Sequence, residues 1–119
     1  MSYDLAVWNG PRPPDDEAAG EVYDELTAWF DDDDDVEPEP ATPPIRAFLA
    51  ELLERYPGLG TAGDEASPWA VGPEPGDVNG DFVYLTMTYS GAGRCLEWIV
   101  AAALRRGLVV YDPQVMGLR

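Results

Sequence analysis

A chain of 119 residues is long enough for one domain with one core, and an apolar content of 45% excludes global disorder. The formal net charge is −16, and the basic residues are seven arginines with no lysine and no histidine. This charge argues against direct binding to nucleic-acid phosphates, which relies on basic side chains. No apolar run approaches the roughly 18 residues of a membrane span, and residues 1–5 show no signal-peptide pattern. The sequence therefore predicts a soluble cytoplasmic protein with no membrane partner.

The first strand and the first helix are predicted from the spacing of apolar residues. Residues 3–8 alternate, with Tyr3, Leu5 and Val7 on one face, and Asn9-Gly10-Pro11 ends the strand. An aspartate cap then begins a helix over about residues 16–30. Its apolar positions recur at helical spacing: Ala19, Val22, Tyr23, Leu26, Trp29 and Phe30.

An acidic linker and a second helix follow. Residues 31–41 are predicted to be extended and mobile, because five consecutive aspartates repel one another and two prolines prevent regular structure. Thr42-Pro43 is typical of a helix start, and Pro57-Gly58 of a helix end. The buried positions expected between them are Ile45, Phe48, Leu49, Leu52, Leu53 and Tyr56.

The last third of the chain is predicted to be strand, helix and strand. A short strand over residues 67–71 and a reversal at Asn79-Gly80 lead into a long strand over residues 82–89. Gly91-Ala92-Gly93 is interpreted as a tight turn before a helix over residues 94–106. The apolar face expected on this helix consists of Leu96, Ile99, Val100, Ala103 and Leu104.

Gly107 stands where a helix commonly ends in a left-handed glycine. Residues 108–111 are then predicted to form a buried strand, and residues 114–119 a tail. The element order β-α-α-β-β-α-β indicates one α+β domain over residues 1–119. We expect a ferredoxin-like sandwich with an extra helix: a four-stranded, largely antiparallel sheet with three helices on one face.

No pattern of catalytic or metal-binding residues is evident. The absence of histidine removes the commonest general base, and Cys95 has no partner base and is interpreted as a buried thiol. A calcium loop starting at Asp31 would need glycine and glutamate where Val36 and Thr42 stand, and the run from Asp77 fails the same test. The glycines at 91 and 93 lack the third glycine of a dinucleotide-binding turn. The sequence predicts no catalytic residue, no metal, no cofactor and no enzymatic activity.

The acids are concentrated in one part of the chain. Residues 15–40 hold thirteen of the 23 acids and no base. Such a segment attracts a basic protein partner. The expected partner-binding residues are the acids of the first helix and the linker, with two tryptophans at strand ends as exposed anchors: Asp16, Glu17, Glu21, Asp24, Glu25, Asp31, Asp32, Asp33, Asp34, Asp35, Trp8 and Trp69.

Four segments resemble small, mostly uncharacterised bacterial proteins. They are the opening MSYDLAVW, the RYPGL run from Arg55, the SPW run from Ser67 and the closing GLVVYDPQ run from Gly107. Some similar proteins resemble immunity partners of secreted polymorphic toxins. The resemblance implies an immunity function and carries over no catalytic residue.

Two hypotheses of different kinds follow. The first is an acidic immunity protein or inhibitor that covers the basic site of a partner such as a toxin nuclease, with mere solubility as the alternative role of the acids. The second is a small-ligand-binding module or weak enzyme that uses an open sheet face lined by Tyr84, Thr86 and Thr88.

Overall fold

The computed structural model describes residues 3–31, 40–55, 69–71 and 78–119, which form an α+β arrangement. Its elements in chain order are β1 (Tyr3–Trp8), α1 (Asp16–Asp31), α2 (Pro43–Arg55), β2 (Trp69–Val71), β3 (Val78–Asn79), β4 (Phe82–Met87), α3 (Tyr89–Arg105), β5 (Val109–Asp112) and β6 (Gly117–Leu118). Most of the predicted linker, residues 32–39, lies outside the described residues, as does the predicted end of the second helix at Pro57-Gly58.

The strands form one sheet in the order β2-β4-β1-β5-β6, and β3 also pairs with β4. Every pairing in it is antiparallel, as predicted. The expected number of four strands is wrong, because the sheet has six strands among the described residues. The first strand lies at the centre, and its register with β4 sets Trp8 opposite Phe82.

The two faces of the sheet are covered by different helices. Leu5 and Val7 pack with α2 and α3 in a core that includes Phe48 and Ile99. Ala6 and Trp8 face the other way and pack with α1. The expectation that all helices lie on one face is therefore wrong. The alternation in β1 predicts one apolar face, but Ala6 and Trp8 supply a second one, and the first helix covers it.

The second helix begins where the sequence predicts, and its start is tied to the sheet. The Thr42 backbone N–H donates to the Gly80 carbonyl at 3.0 Å, and its hydroxyl donates to Asp81 Oδ1 at 2.6 Å. Gly80 has a φ of 59° in the turn between β3 and β4, which confirms the predicted chain reversal. Three of the predicted positions of α2 are fully buried: Ile45, Phe48 and Leu52.

The third helix begins at Tyr89, five residues before the predicted start. Thr88 caps it, because its hydroxyl accepts a hydrogen bond from the Gly91 N–H at 2.9 Å. The glycine pair therefore lies inside the helix and not in a turn. The buried face includes Cys95 and Ile99, whereas Leu104 is 42% exposed, which corrects its assignment to the core. At the other end Gly107 adopts a φ of 74°, as predicted for the residue that ends the helix.

Residues 114–119 do not form a tail. A turn after β5 brings Gly117 opposite Asp112 and Leu118 opposite Tyr111, so that these residues add β6 to the sheet. The Arg119 N–H then donates to the Val110 carbonyl at 2.9 Å. β6 forms only because β5 provides a strand to pair with. A prediction from the composition of residues 114–119 alone does not take that pairing into account.

A candidate partner-binding cleft beside the first helix

A cleft of about 690 Å³ lies between α1, the connection from β1 to α1 and the turn between β3 and β4. We call it the α1 cleft. Its lining comes from three stretches of the chain: Trp8, Asn9, Gly10, Pro11, Arg12, Pro13, Pro14, Ala18, Glu21, Val22, Glu25, Leu26, Asn79, Asp81 and Phe82.

The floor of the α1 cleft is aromatic. Trp8 and Phe82 are cross-strand neighbours in β1 and β4, so their side chains lie on the same face of the sheet. Trp8 is only 4% exposed and Phe82 only 1%. The expectation that Trp8 is an exposed anchor is therefore wrong. The strand end places its ring against Tyr111, with 6.4 Å between centroids, on the face that α1 covers.

One wall of the cleft is a stripe of α1. Ala18, Val22 and Glu25 recur at the helical spacing that puts side chains on one face. Asp15 determines where this helix begins, because its Oδ1 accepts a hydrogen bond from the Ala18 N–H at 2.8 Å. The helix therefore presents both an apolar and an acidic side chain to the same space.

The opposite wall is the connection from β1 to α1. It contains Pro11, Pro13 and Pro14, whose rings hold φ near −65° and stiffen the backbone. The side chain of Arg12 in this wall donates to the Arg119 carbonyl at 3.3 Å. The prolines make this wall a stiff support, which favours a cleft whose shape exists before any ligand binds.

The carboxylates around the cleft differ in whether they form hydrogen bonds. Asp81 Oδ1 accepts hydrogen bonds from Thr42 and from Asn9, at 2.6 and 3.3 Å. Glu21 and Glu25 are exposed, and neither side chain makes a hydrogen bond or ion pair with another described residue. Glu17 continues their line at the same spacing of four residues and is also exposed. The first helix thus presents a column of three like charges, two of which border the cleft.

The structure brings some of the predicted partner-binding residues together and separates others. Trp8, Glu21 and Glu25 meet at the cleft, whereas Asp16, Glu17 and Asp24 are exposed on α1 away from it. Other residues of that set lie wholly or partly outside the described part of the chain. Asp32, Asp33, Asp34 and Asp35 are not described, and for Asp31 and Trp69 only the backbone is, in α1 and β2.

Sequence reasoning missed Phe82, Val22 and the proline wall as parts of this site. The sequence predicts Phe82 in a strand and Val22 on the apolar face of the first helix, and the structure confirms both placements. The signal that was available is the density of prolines between β1 and α1, which indicates a rigid connection. That Phe82 meets Trp8 follows from strand register and has no local signal.

A second polar cluster joins β1, β5 and the last residue. The carboxylate of Asp112 is fully buried and accepts hydrogen bonds from the Tyr3 hydroxyl, from Arg119 Nη2 at 2.6 Å and from Gln114 Nε2 at 2.6 Å. Burial alone would raise the pKa of Asp112, but these donors outweigh it and hold the pKa below its usual value. Because Asp112 is enclosed by its own donors, this cluster stabilises the fold and offers no open site.

The residues predicted to line a ligand-binding sheet face, Tyr84, Thr86 and Thr88, are all half-buried. Tyr84 packs against the core under α1, and its hydroxyl donates to Asp4 Oδ2 at 2.8 Å. Burial raises the pKa of Tyr84 well above its usual value, and hydrogen bonds with Tyr23 and Asp4 add to this effect. Thr88 caps α3, and its hydroxyl is engaged by the Gly91 N–H.

No protein family, curated protein or solved structure matches this chain. Within the described ranges there is no group of three or more histidine, cysteine, aspartate or glutamate residues arranged to hold a metal ion. Among the same residues no helix has the length and apolar character needed to cross a membrane. The α1 cleft and the charges around it are therefore the basis of a functional proposal.

Proposed function

We propose that this chain is an acidic protein-binding module that covers the basic site of a partner protein. In the sharpest form of the proposal it is an immunity protein or inhibitor of a toxin such as a nuclease, acting by binding, without catalysis, in the cytoplasm. The observation that carries the proposal is the column of exposed glutamates on α1 beside an apolar cleft. The resemblance to immunity proteins points in the same direction.

Two physical effects support this proposal: electrostatic attraction of a basic partner and burial of apolar surface in the interface. A net charge of −16 raises the rate at which a basic partner meets the chain. Stable interfaces combine an apolar centre with a polar rim, and the cleft with its bordering carboxylates has that composition. Acids that only kept the chain in solution would need no apolar surface beside them.

We also propose that the core is a ferredoxin-like sandwich with α1 added. The order β2-β4-β1-β5 supports this. In it β4 lies between β2 and β1, and β5 lies on the other side of β1, as the corresponding strands do in that fold. The packing of α2 and α3 on one face supports it as well. On this proposal α1 is the added element, and it carries the binding surface.

The test uses matched charge variants of the full chain. Glu21→Gln with Glu25→Gln removes two charges at the cleft, and Glu54→Gln with Glu97→Gln removes two exposed charges elsewhere. Basic proteins of the source cell that bind the immobilised wild type are identified by mass spectrometry and purified. We expect the association rate to fall steeply between about 50 and about 300 mM salt, because screening shortens the reach of exposed charges.

The cleft variant should associate several-fold more slowly than the control variant at low salt. The electrostatic mechanism is wrong if the immobilised chain retains no basic protein. It is also wrong if the association rate is independent of salt and equal in both variants. If the cleft variant binds normally but aggregates more than the control, the acids serve solubility.

A second candidate is a small-ligand-binding module, which the size of the cleft favours. Its volume of about 690 Å³ lies within the range of small-molecule pockets, roughly 300–1,000 Å³. A thermal-shift screen of metabolites separates the two candidates. A compound that raises the melting temperature of the wild type but not of an Ala18→Trp variant, whose side chain fills the cleft, favours the ligand.

A further inference from the structure

We infer that the α1 cleft receives a protein segment in which an apolar side chain stands next to an arginine or lysine. The apolar side chain would rest on Val22 and Leu26 of α1, and the cation would lie between Glu21 and Glu25. This inference rests on the proposed function and names the kind of segment that the partner presents.

The accessible lining of the cleft favours an apolar side chain in the segment. Trp8 and Phe82 close the bottom with almost no exposed surface, so the apolar surface that a partner can cover comes from the half-buried Val22 and Leu26 of α1 and from the exposed prolines of the opposite wall. Covering such surface is favourable in proportion to the apolar area removed from water. A fully charged, hydrophilic segment would leave this apolar surface in contact with water.

The carboxylates at the rim of the cleft favour an arginine or lysine in the segment. Glu21 and Glu25 are one helical turn apart, a spacing at which like charges destabilise a helix. The helix carries no base that relieves this repulsion, so a cation placed between the two carboxylates interacts favourably with both. Arg12 on the opposite wall directs the cation of the segment towards the helix side, because like charges repel.

A second copy of this chain is a poor occupant by comparison. Two chains that each carry a charge of −16 repel each other, and the acids of α1 lie beside the cleft itself. An anionic segment is disfavoured for the same reason. Charge complementarity therefore selects a basic and apolar segment of another protein.

The test measures peptide binding to the full-length chain. The probe is a fluorescein-labelled peptide of four Arg-Leu repeats, and the comparison peptides have four Arg-Ser and four Glu-Leu repeats. We expect the Arg-Leu peptide to bind at least about tenfold more tightly than either, since only it matches both the apolar lining and the carboxylates of the rim. The NMR signal of the Trp8 indole N–H should shift on binding.

Two pairs of variants locate the binding. Ala18→Trp fills the cleft, and Ala28→Trp places the same side chain on an exposed position of α1 that does not line it. We expect at least about a tenfold loss of Arg-Leu peptide affinity for the first and less than about a twofold change for the second. Circular dichroism establishes that each variant is folded. If Ala18→Trp does not fold, the Glu21/Glu25 and Glu54/Glu97 variants decide the question.

The possible outcomes separate this inference from the proposed function. Equal binding of the three peptides, or unchanged Arg-Leu binding in the cleft variants, overturns the inference. If a basic partner still binds the Ala18→Trp variant with full affinity, the proposed function stands and the cleft is not its site. If the Arg-Leu peptide binds in the cleft and no basic protein is retained from the source cell, the proposed function falls. A dimer seen by light scattering and lost in Ala18→Trp assigns the cleft to self-association and overturns the inference.

Discussion

The carboxylate of Asp16 accepts a hydrogen bond from the backbone N–H of Leu118, with 3.0 Å between Oδ1 and N. This bond joins the first turn of α1 to β6 across the domain. A Cβ atom added to Gly117 would lie 3.4 Å from Asp16 Oδ2, so the contact is close. The side chain of the neighbouring Glu17 is exposed and makes no hydrogen bond or ion pair with another described residue. Two adjacent acids on one helix turn therefore have different structural roles, since only Asp16 links α1 to β6.

Replacing Asp16 should weaken the fold more than replacing Glu17. We expect Asp16→Ala to lower the free energy of unfolding by about 1 kcal/mol relative to Glu17→Ala, because it removes the acceptor of the Leu118 N–H. Both residues lie in the first helical turn, so the effect of the helix dipole is similar in the two variants. Urea denaturation measures the difference, and hydrogen exchange of the Leu118 amide should be faster in Asp16→Ala. Equal stabilities would contradict the assignment.

The core assignment is tested by two leucines on different helices. Leu52 is fully buried, whereas Leu104 is 42% exposed. We expect Leu52→Ala to cost about 2–5 kcal/mol in unfolding free energy, because it leaves a cavity in the core. Leu104→Ala should cost less than about 1 kcal/mol, since the site is open to solvent. Denaturant unfolding of both variants decides this, and similar costs would show that α3 is oriented differently.

Because of the buried carboxylate of Asp112, the free energy of unfolding should depend on pH in the acid range. Its pKa is lowered from 3.8 in the folded state, so the unfolded state binds more protons as the pH falls through this range. The stabilisation is therefore present above the usual pKa and is lost as the pH falls through the folded value. At neutral pH we expect Asp112→Asn to cost about 2–4 kcal/mol, because Arg119 and Tyr3 lose a charged acceptor.

The difference in unfolding free energy between wild type and Asp112→Asn should shrink as the pH is lowered from about 6 to about 2. Measuring the difference removes the contribution of the other acids, which both proteins share. A difference that is constant over this range would mean that Asp112 is not held as a carboxylate in the folded state.

The buried tyrosines should make the protein sensitive to alkali. Burial raises the pKa of Tyr84 and of Tyr111, and Asp24 adds to the effect at Tyr111. A raised pKa in the folded state means that stability is present below the ordinary value of 10.0 and is lost as the pH rises further. We expect the part of the tyrosinate absorbance that comes from Tyr84 and Tyr111 to appear together with unfolding above that pH. The fall of stability with pH should be less steep in Tyr84→Phe, and an unchanged slope would contradict this account.

Local spacing predicted the elements whose pattern is complete within one segment. The alternation of β1, the helical stripes of α1 and α2 and the glycine after α3 all depend on backbone periods that neighbouring residues determine. The start of α3 was missed because Thr88 and Tyr89 favour a strand by residue type, while the hydroxyl of Thr88 caps the helix. β6 was missed because it has no stability without β5.

The sequence by itself determined the acidity of α1, to which Glu21 and Glu25 contribute. Only the tertiary structure decided that these carboxylates border an apolar cleft. That cleft exists because the register of β1 with β4 sets Trp8 beside Phe82, two residues far apart in the chain, and because α1 crosses the sheet face opposite α2 and α3. Strand register and the choice of sheet face are set by the burial of whole faces at once, which no local pattern of residues specifies.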